Sequence, residues 1–171
     1  MFERGRVLKL NNALLLGNNE IGEINSLVSC HVCIIRIKSP TKEYIVMSHF
    51  RVTDVHEHIS AIQSILYNRI GANYGPSPIA IVLLFRLSLV ELVRKHASSG
   101  TIYHIEKYEA ATKALKDALV RIFPNALIRE IPYNSGGKDG CWITLNMRKG
   151  RWESSFGSGL IDELSVKIKT V

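Results

Sequence analysis

Hydrophobic residues in the first third of the chain come in short runs, which is the pattern of β-strands. Residues 3–16 predict one or two short strands, and the run SLVSCHVCIIRIK predicts one long strand. After the turn sequence SPTKE, the run YIVMSHFR predicts its antiparallel partner. We therefore expect residues 27–38 and 44–51 to form a hairpin.

Two segments instead repeat their apolar residues at the spacing of a helix. The first is DVHEHISAIQSILYNRIGA, where Asp54 and Glu57 are placed as a capping box. The second, EKYEAATKALKDALVRIF, is the clearest helix in the sequence and ends before Pro124. Its apolar stripe consists of Tyr108, Ala111, Leu115, Ala118, Leu119 and Ile122.

The remaining segments complete a mixed pattern. PIAIVLLF predicts a buried strand, residues 87–96 a short helix, and TIYHI another strand. ALIREIPY and CWITLNM predict strands on either side of the glycine-rich turn NSGGKDG, and RKG predicts a turn into RWESSF. Strands that pair locally, with helices between them, predict an α+β fold.

The composition favours a single globular domain over residues 1–171. A chain of 171 residues, 46% of them hydrophobic, has enough apolar material for one core. Its most apolar segment, SPIAIVLLFRLSLVELV, is interrupted by Arg86 and Glu91, well short of the roughly 20 residues that a membrane helix needs. We expect a monomer with no membrane partner.

Cysteine content and charge limit the compartments and the partners expected for this protein. Three cysteines at irregular spacing do not form a disulfide framework, and Lys9, Asn11 and Asn12 interrupt any apolar core of a secretory signal. We expect a cytoplasmic protein, or one delivered to a target cell by a route without a cleavable signal peptide. The net charge of +7 favours an acidic partner, but no nucleic-acid motif accompanies it, so we expect no nucleic-acid partner.

Reactive side chains stand out in the apolar run around Cys30, His31 and Cys33. Cys30 and Cys33 are three residues apart, so in a strand they face opposite sides of the sheet and cannot share a metal ion. His56 and His58 are two residues apart on a helix and face different directions. We expect no metal site, and we expect both of these histidines in a solvated first turn.

Cys30 and His49 form the more informative pair. If the hairpin loop holds an even number of residues, the two share a face, directly opposite for a two-residue loop or diagonal, at roughly 7–8 Å, for a four-residue loop. Either arrangement would allow an imidazolium to stabilise a thiolate. On spacing alone, the alternative that Cys30 is a small core residue stays open. Cys33 and Cys141 are predicted to be packed side chains.

The runs LVSCHVCIIRI and YIVMSHF resemble the L-G-S-C and M-A-H-F strands of the CheD-type chemoreceptor glutamine deamidases. This family is related in fold to bacterial deamidating toxins such as cytotoxic necrotising factor. IEKYEAATKALKDAL is similar to the family's later helix, and IREIPYNSGGKDGCWITLNMRKGRWE to its glycine-rich turn and final hairpin. The resemblance covers most of residues 10–153 and implies a layered α/β/β/α sandwich with mixed, largely antiparallel sheets.

The resemblance also implies a reaction. Residue by residue, the family's nucleophilic cysteine falls on Cys30 and its histidine on His49. It implies a glutamine deamidase without a cofactor, which acts through a cysteine thioester on a partner protein carrying an accessible glutamine. Such an enzyme would be a receptor modifier in chemotaxis, or a toxin or effector. Backbone N–H groups near Ser29 and Cys30 would hold the oxyanion.

The chain departs from the family around the cysteine. The family's threonine falls on Ile24, which cannot orient an imidazole, so Asn25, Ser26 or a backbone carbonyl remains for that role. Val28 replaces the glycine of L-G-S-C, and the family's Gly-Gly-Ala turn is absent from LLFRLSLVELV. These departures leave open a catalytically inert adaptor of the same fold that binds a partner protein. The net charge leaves open a second alternative, a basic module that binds nucleic acid or an acidic protein.

Overall fold

The computed structural model describes eight stretches of the chain: residues 5–27, 30–38, 43–71, 80–86, 99–124, 126–133, 141–155 and 157–164. Their strands are β1 (Arg6–Val7), β2 (Asn12–Leu16), β3 (Ile21–Leu27), β4 (His31–Lys38), β5 (Glu43–Phe50), β6 (Ala80–Arg86), β7 (Leu127–Tyr133), β8 (Cys141–Asn146), β9 (Arg151–Ser154) and β10 (Gly157–Leu160). Their helices are α1 (Val55–Ile70) and α2 (Ser99–Ile122), and a 3₁₀ turn lies at Ile161–Glu163. Both predicted amphipathic helices are therefore confirmed.

The strands form two five-stranded sheets. Sheet I has the order β1-β3-β8-β9-β10, and sheet II has the order β2-β5-β4-β6-β7. β1 is parallel to β3 and β6 is parallel to β7, whereas the other neighbouring strands are antiparallel. The predicted α+β class with mixed, largely antiparallel sheets is confirmed.

The two sheets pack face to face through alternate side chains of their strands. This inter-sheet core includes Leu14, Leu16, Ile24, Leu27, Val32, Ile34, Ile45, Met47, Tyr133, Ile143, Leu145 and Trp152. Gly22 of β3 lies against side chains of sheet II: a Cβ atom there would meet the Met47 sulfur at 2.6 Å and the Leu16 Cδ1 at 2.7 Å. A larger residue at position 22 would have to displace the ends of the Met47 and Leu16 side chains.

The opposite face of sheet II packs against both described helices. Leu66 of α1 and Leu115 of α2 are fully buried in this helical core, which also contains Ile35 and Val46 of sheet II. The described residues thus form three layers, helices, sheet II and sheet I, and within them no helix covers the outer face of sheet I. Neither described helix is both long and apolar enough to cross a membrane.

The predicted hairpin is present as β4 and β5. Val32 pairs with His49, and Lys38 pairs with Glu43, so the loop consists of residues 39–42, which lie outside the described residues. This loop has the even length that places Cys30 and His49 on the same face.

The single long strand predicted over residues 26–38 is wrong, because the chain changes sheets within it. Leu27 ends β3 and pairs with Cys141 in sheet I, whereas His31 begins β4 and pairs with Phe50 in sheet II. Both strands supply the inter-sheet core, so the apolar run continues through the crossing. Neither a glycine nor a proline marks the break in the sequence.

Other predictions differ in smaller ways. TIYHI belongs to α2 rather than to a strand, because a growing helix extends more easily than a short isolated strand forms. Asp54 precedes α1 but its side chain makes no capping bond, and its backbone is not in the extended conformation that a capping box requires. ALIREIPY and CWITLNM form β7 and β8 in different sheets. Residues 87–96 and the turn NSGGKDG lie outside the described residues.

Candidate active site

Cys30 lies where the chain crosses from sheet I to sheet II, one residue before β4. The end of β3 carries a β-bulge, because the register with β8 shifts between Ile24 and Leu27. A bulge bends its strand and redirects the chain, which is why bulges are frequent beside active sites. The bulge and the crossing together place Cys30 at the end of a strand instead of inside a ladder.

Cys30 and His49 lie on the same side of sheet II, between the two sheets. His49 pairs with Val32 of β4, and Cys30 packs against the same inter-sheet core as Val32. Cys30 itself lies just outside the β4–β5 ladder, which begins at the His31–Phe50 pair. The packing of Cys30 on the inter-sheet core and the even length of the loop both place it on the face of His49.

Tyr133 fixes the backbone of Cys30. Its fully buried side chain donates a hydrogen bond of 2.9 Å from the hydroxyl to the Cys30 carbonyl oxygen. Tyr133 is the last residue of β7, an edge strand of sheet II. This bond therefore connects the segment that crosses between the sheets to a strand that is distant in sequence. The sequence does not point to Tyr133, because nothing in ALIREIPY indicates which backbone group its hydroxyl reaches.

The three thiols have different environments. Cys30 is partly exposed, whereas Cys33 and Cys141 are buried, as predicted for both. Burial raises the pKa of Cys33 to about 12, so this thiol stays protonated near neutral pH. Exposure therefore distinguishes Cys30 from the other cysteines as the thiol that a reagent or substrate can reach.

His49 is buried without a hydrogen-bond partner. Its side chain is 5% exposed, and neither ring nitrogen is hydrogen-bonded within the described part of the structure. Burial lowers the pKa of His49 from 6.5 to about 4, so the imidazole is neutral at pH 7. The expected resting imidazolium beside a thiolate is therefore not what this structure holds. A neutral imidazole is instead a base that can take the proton of a thiol.

His31 lies beside Cys30 in sequence but faces the helices. Its Nε2 lies 2.8 Å from the hydroxyl oxygen of Thr112 on α2, and that hydroxyl donates to the Tyr108 carbonyl oxygen at 3.0 Å. The hydroxyl proton is thus engaged, so Nε2–H of His31 is the donor to Thr112. Burial lowers the pKa of His31 to about 4. His31 anchors the start of β4 to α2.

His58 is buried, so the prediction that it lies in a solvated first turn is wrong. Its Nε2 lies 2.6 Å from the Ser48 hydroxyl, and its ring stacks on Phe50 at 4.6 Å between centroids. Burial, together with nearby His31 and His49, lowers its pKa to about 3. His58 lies on the same helical stripe as Val55 and Ile62, and this spacing was the signal for burial. His56 is exposed, as predicted.

The residues expected to orient His49 lie on the other sheet or outside the described residues. Asn25 and Ser26 are exposed at the bulge of β3 in sheet I, and Ser29 lies outside the described residues. Ile24, on which the family's threonine falls, is a buried core residue. Among the described residues, no group of three histidine, cysteine, aspartate or glutamate side chains is placed to hold a metal ion.

Comparison with known proteins adds no relative. No model of a protein family matches this chain, and no curated protein matches it. The geometry around Cys30 and the order of the segments that resemble the deamidase family are thus the features that indicate an activity.

Proposed function

We propose that this protein is a cysteine hydrolase that deamidates glutamine side chains of a partner protein. The placement of Cys30 carries the proposal: a partly exposed thiol at the crossing between the sheets shares a face with the unpartnered imidazole of His49. The order of the CheD-like segments supports the same activity. The proposal includes the α/β/β/α layering of that family and action in the cytoplasm, or in a target cell after delivery without a cleavable signal peptide.

The first half of the reaction forms a thioester. Cys30 Sγ attacks the carboxamide carbon of the glutamine while His49 takes the thiol proton. A base must be unprotonated before it acts, and the buried, neutral state of His49 meets this requirement at pH 7. Backbone N–H groups near Cys30 would stabilise the oxyanion. The carbon–nitrogen bond then breaks, and His49 returns the proton to the nitrogen, which leaves as ammonia.

The second half of the reaction consumes one water molecule. His49 takes a proton from the water, and the resulting hydroxide attacks the thioester carbon. The carbon–sulfur bond breaks, His49 returns the proton to Cys30 Sγ, and the substrate side chain leaves as the carboxyl group of glutamate. No oxidant, reductant or cofactor takes part in either step.

The test is to incubate the protein with a pool of glutamine-containing peptides and with native cell extracts, and to measure ammonia and the mass gain of glutamine-to-glutamate conversion. We expect conversion with the wild type and none with Cys30→Ser. His49→Ala should abolish conversion as well, whereas His56→Ala, an exposed histidine on α1, should leave it unchanged. The His56 variant thus shows whether the loss of conversion is specific to His49 or follows the replacement of any histidine.

Two results would reject the deamidase. The first is conversion that persists in Cys30→Ser. The second is an absence of conversion in every sample, together with a partner that wild type and Cys30→Ser retain equally in a pull-down. The second result would support the adaptor, which needs the fold but not the thiol.

A further inference from the structure

Strand β2 lies at one edge of sheet II and, among the described strands, pairs only with β5. Its sequence, NALLL, is mostly apolar, and its register with β5 is unbroken from Asn12 to Leu16. Exposed edge strands usually carry lysine, proline or a bulge, which prevent another strand from pairing with them. β2 has none of these features, so its edge is open to a further strand.

The backbone of β2 can be reached from this edge. Arg6 Nη1 donates to the Leu15 carbonyl oxygen at 3.3 Å, which shows that a donor outside the β2–β5 ladder can reach the strand. Along a strand, the N–H and C=O groups of alternate residues point to the same side. Ala13 and Leu15 therefore present their backbone groups together at the open edge.

A cavity of about 410 Å³ lies along the edge, between β2 and α1. It is lined by Ala13, Leu14 and Leu15 of β2 and by Ile65 and Arg69 of α1. Proteins that bind extended peptides by strand addition use an exposed sheet edge for backbone hydrogen bonds and adjacent pockets for alternate side chains. The edge of β2 and this cavity, together called the β2 groove, provide both.

The charged groups of the β2 groove are mostly positive. Arg6 and Arg69 line it together with one carboxylate, Glu20, and Arg6 pairs with Glu20 at 2.7 Å. The hydrogen bond from Arg6 lowers the pKa of Glu20, and the charge of Arg69 adds to this effect. Within the described part of the chain, no residue forms an ion pair or a hydrogen bond with the exposed Arg69 side chain. The groove thus has an excess positive charge, which favours an acidic ligand.

We propose that the β2 groove binds an extended, acidic segment of a partner protein, which joins sheet II as a further strand. Hydrogen bonds to the backbone of Ala13 and Leu15 would hold the segment, and Arg69 would favour a carboxylate side chain beside α1. A second copy of this chain is a poorer occupant, because pairing two β2 strands would bring two chains of net charge +7 and their groove arginines together. Strand pairing needs no thiol, so this site would serve an enzyme and an inert adaptor equally.

The test begins with a peptide probe, selected from a phage-displayed library of random linear peptides on the full-length wild-type protein. Selected peptides should carry aspartate or glutamate among alternating apolar residues. Hydrogen exchange followed by NMR then locates the synthesised peptide on the protein. Exchange of the Ala13 and Leu15 amides should slow by about tenfold or more with bound peptide. Exchange at Leu14, whose N–H points towards β5, should change much less.

Two variants test the backbone and the charge separately. Ala13→Pro removes one N–H from the open edge, where proline is tolerated, so the variant should keep its urea midpoint and bind the fluorescein-labelled peptide about fivefold more weakly. Arg69→Glu, in the last turn of α1, should weaken binding by about fivefold or more at low salt. Arg121→Glu makes the same change in the last turn of α2 and should leave binding unchanged.

Failure to select any peptide would overturn the proposal, and so would a bound peptide that leaves exchange at Ala13 and Leu15 unchanged. Equal affinity of wild type and Arg69→Glu would reject an acidic segment. Slow exchange at both amides without peptide, together with a concentration-dependent dimer, would assign the edge to a second copy instead. The exchange measurement uses wild type, so it decides even if Ala13→Pro does not fold. None of these readouts requires deamidation, so failure of the proposed reaction is a separate result.

Discussion

Acid should destabilise this protein because three histidines are buried in their neutral form where β4 begins and β5 ends. His31, His49 and His58 are 0%, 5% and 1% exposed, and each has a ring nitrogen without a hydrogen-bond partner in the described structure. Burial lowers their pKa values from 6.5 to about 4, about 4 and about 3, respectively. In the unfolded chain, each imidazole therefore binds its proton at a higher pH than in the folded protein.

The size of the effect follows from proton linkage. Since the folded pKa lies below the unfolded pKa, stability is complete above the unfolded value and is lost as the pH falls towards the folded value. Between about pH 7 and about pH 5, shifts of this size cost about 2 kcal/mol per histidine, or about 6 kcal/mol for the three. A domain is stable by only about 5–15 kcal/mol, so this loss should bring the protein close to unfolding.

Urea unfolding, followed by the fluorescence of the buried Trp152, measures this loss between about pH 7 and about pH 5. The slope of the unfolding free energy against pH should steepen as the pH falls: it should correspond to an uptake on unfolding of about two protons on average over this range, and of nearly three near pH 5. His58→Gln removes one titrating group and keeps an amide that can bond to Ser48, so the slope should fall by about a third. His56→Gln, on the exposed side of the same helical turn, should not change the slope.

A free energy of unfolding that stays constant over this pH range would refute the reasoning, since it would mean that the folded histidines accept protons as readily as the unfolded ones. An identical slope in wild type and His58→Gln would refute the assignment to His58 in particular. Both results are read from the dependence of the unfolding free energy on pH and not from its absolute value. A variant that is less stable by the same amount at every pH therefore still gives a valid slope.

Further predictions concern the candidate nucleophile and the core. Iodoacetamide should label Cys30 faster than Cys33 or Cys141 near neutral pH, because only Cys30 is partly exposed; equal rates in the folded protein would contradict this. Leu115→Ala should cost about 2–5 kcal/mol in urea unfolding and Cys30→Ala much less, and an equal loss would make Cys30 a structural residue. Tyr133→Phe should leave the protein folded but change the labelling rate of Cys30, because the bond to its carbonyl oxygen is lost; an unchanged rate would show that the bond does not position the thiol.

Much of the fold follows from local patterns in the sequence. The helical stripe of α2 identifies Leu115 and Leu119 as buried residues, and both are fully buried. The parity of the β4–β5 loop places Cys30 and His49 on one face, because side chains alternate strictly along a strand. These features depend on neighbours within one element or one hairpin, and such neighbours are visible in the sequence.

The crossing between the sheets is a different kind of feature. Leu27 and Val32 are both apolar core residues, and only the strands that pair with them show that they belong to different sheets. The partners of Leu27 and His31 are Cys141 and Phe50, one more than a hundred residues away and the other in the adjacent strand. A pattern of buried positions cannot distinguish one long strand from two strands that face the same core.

The sequence by itself determined the α+β class, the two helices, the hairpin and the residues that could carry chemistry. Tertiary structure decided how exposed those residues are and whether they are protonated, because exposure and pKa depend on groups brought together from distant segments. His56 and His58 have similar sequence surroundings, yet packing against sheet II buries only His58. Likewise, Tyr133 reaches the Cys30 carbonyl oxygen across the sheet. Burial of His49 between the sheets keeps its imidazole neutral, because the charged form would lose its hydration without gaining a partner.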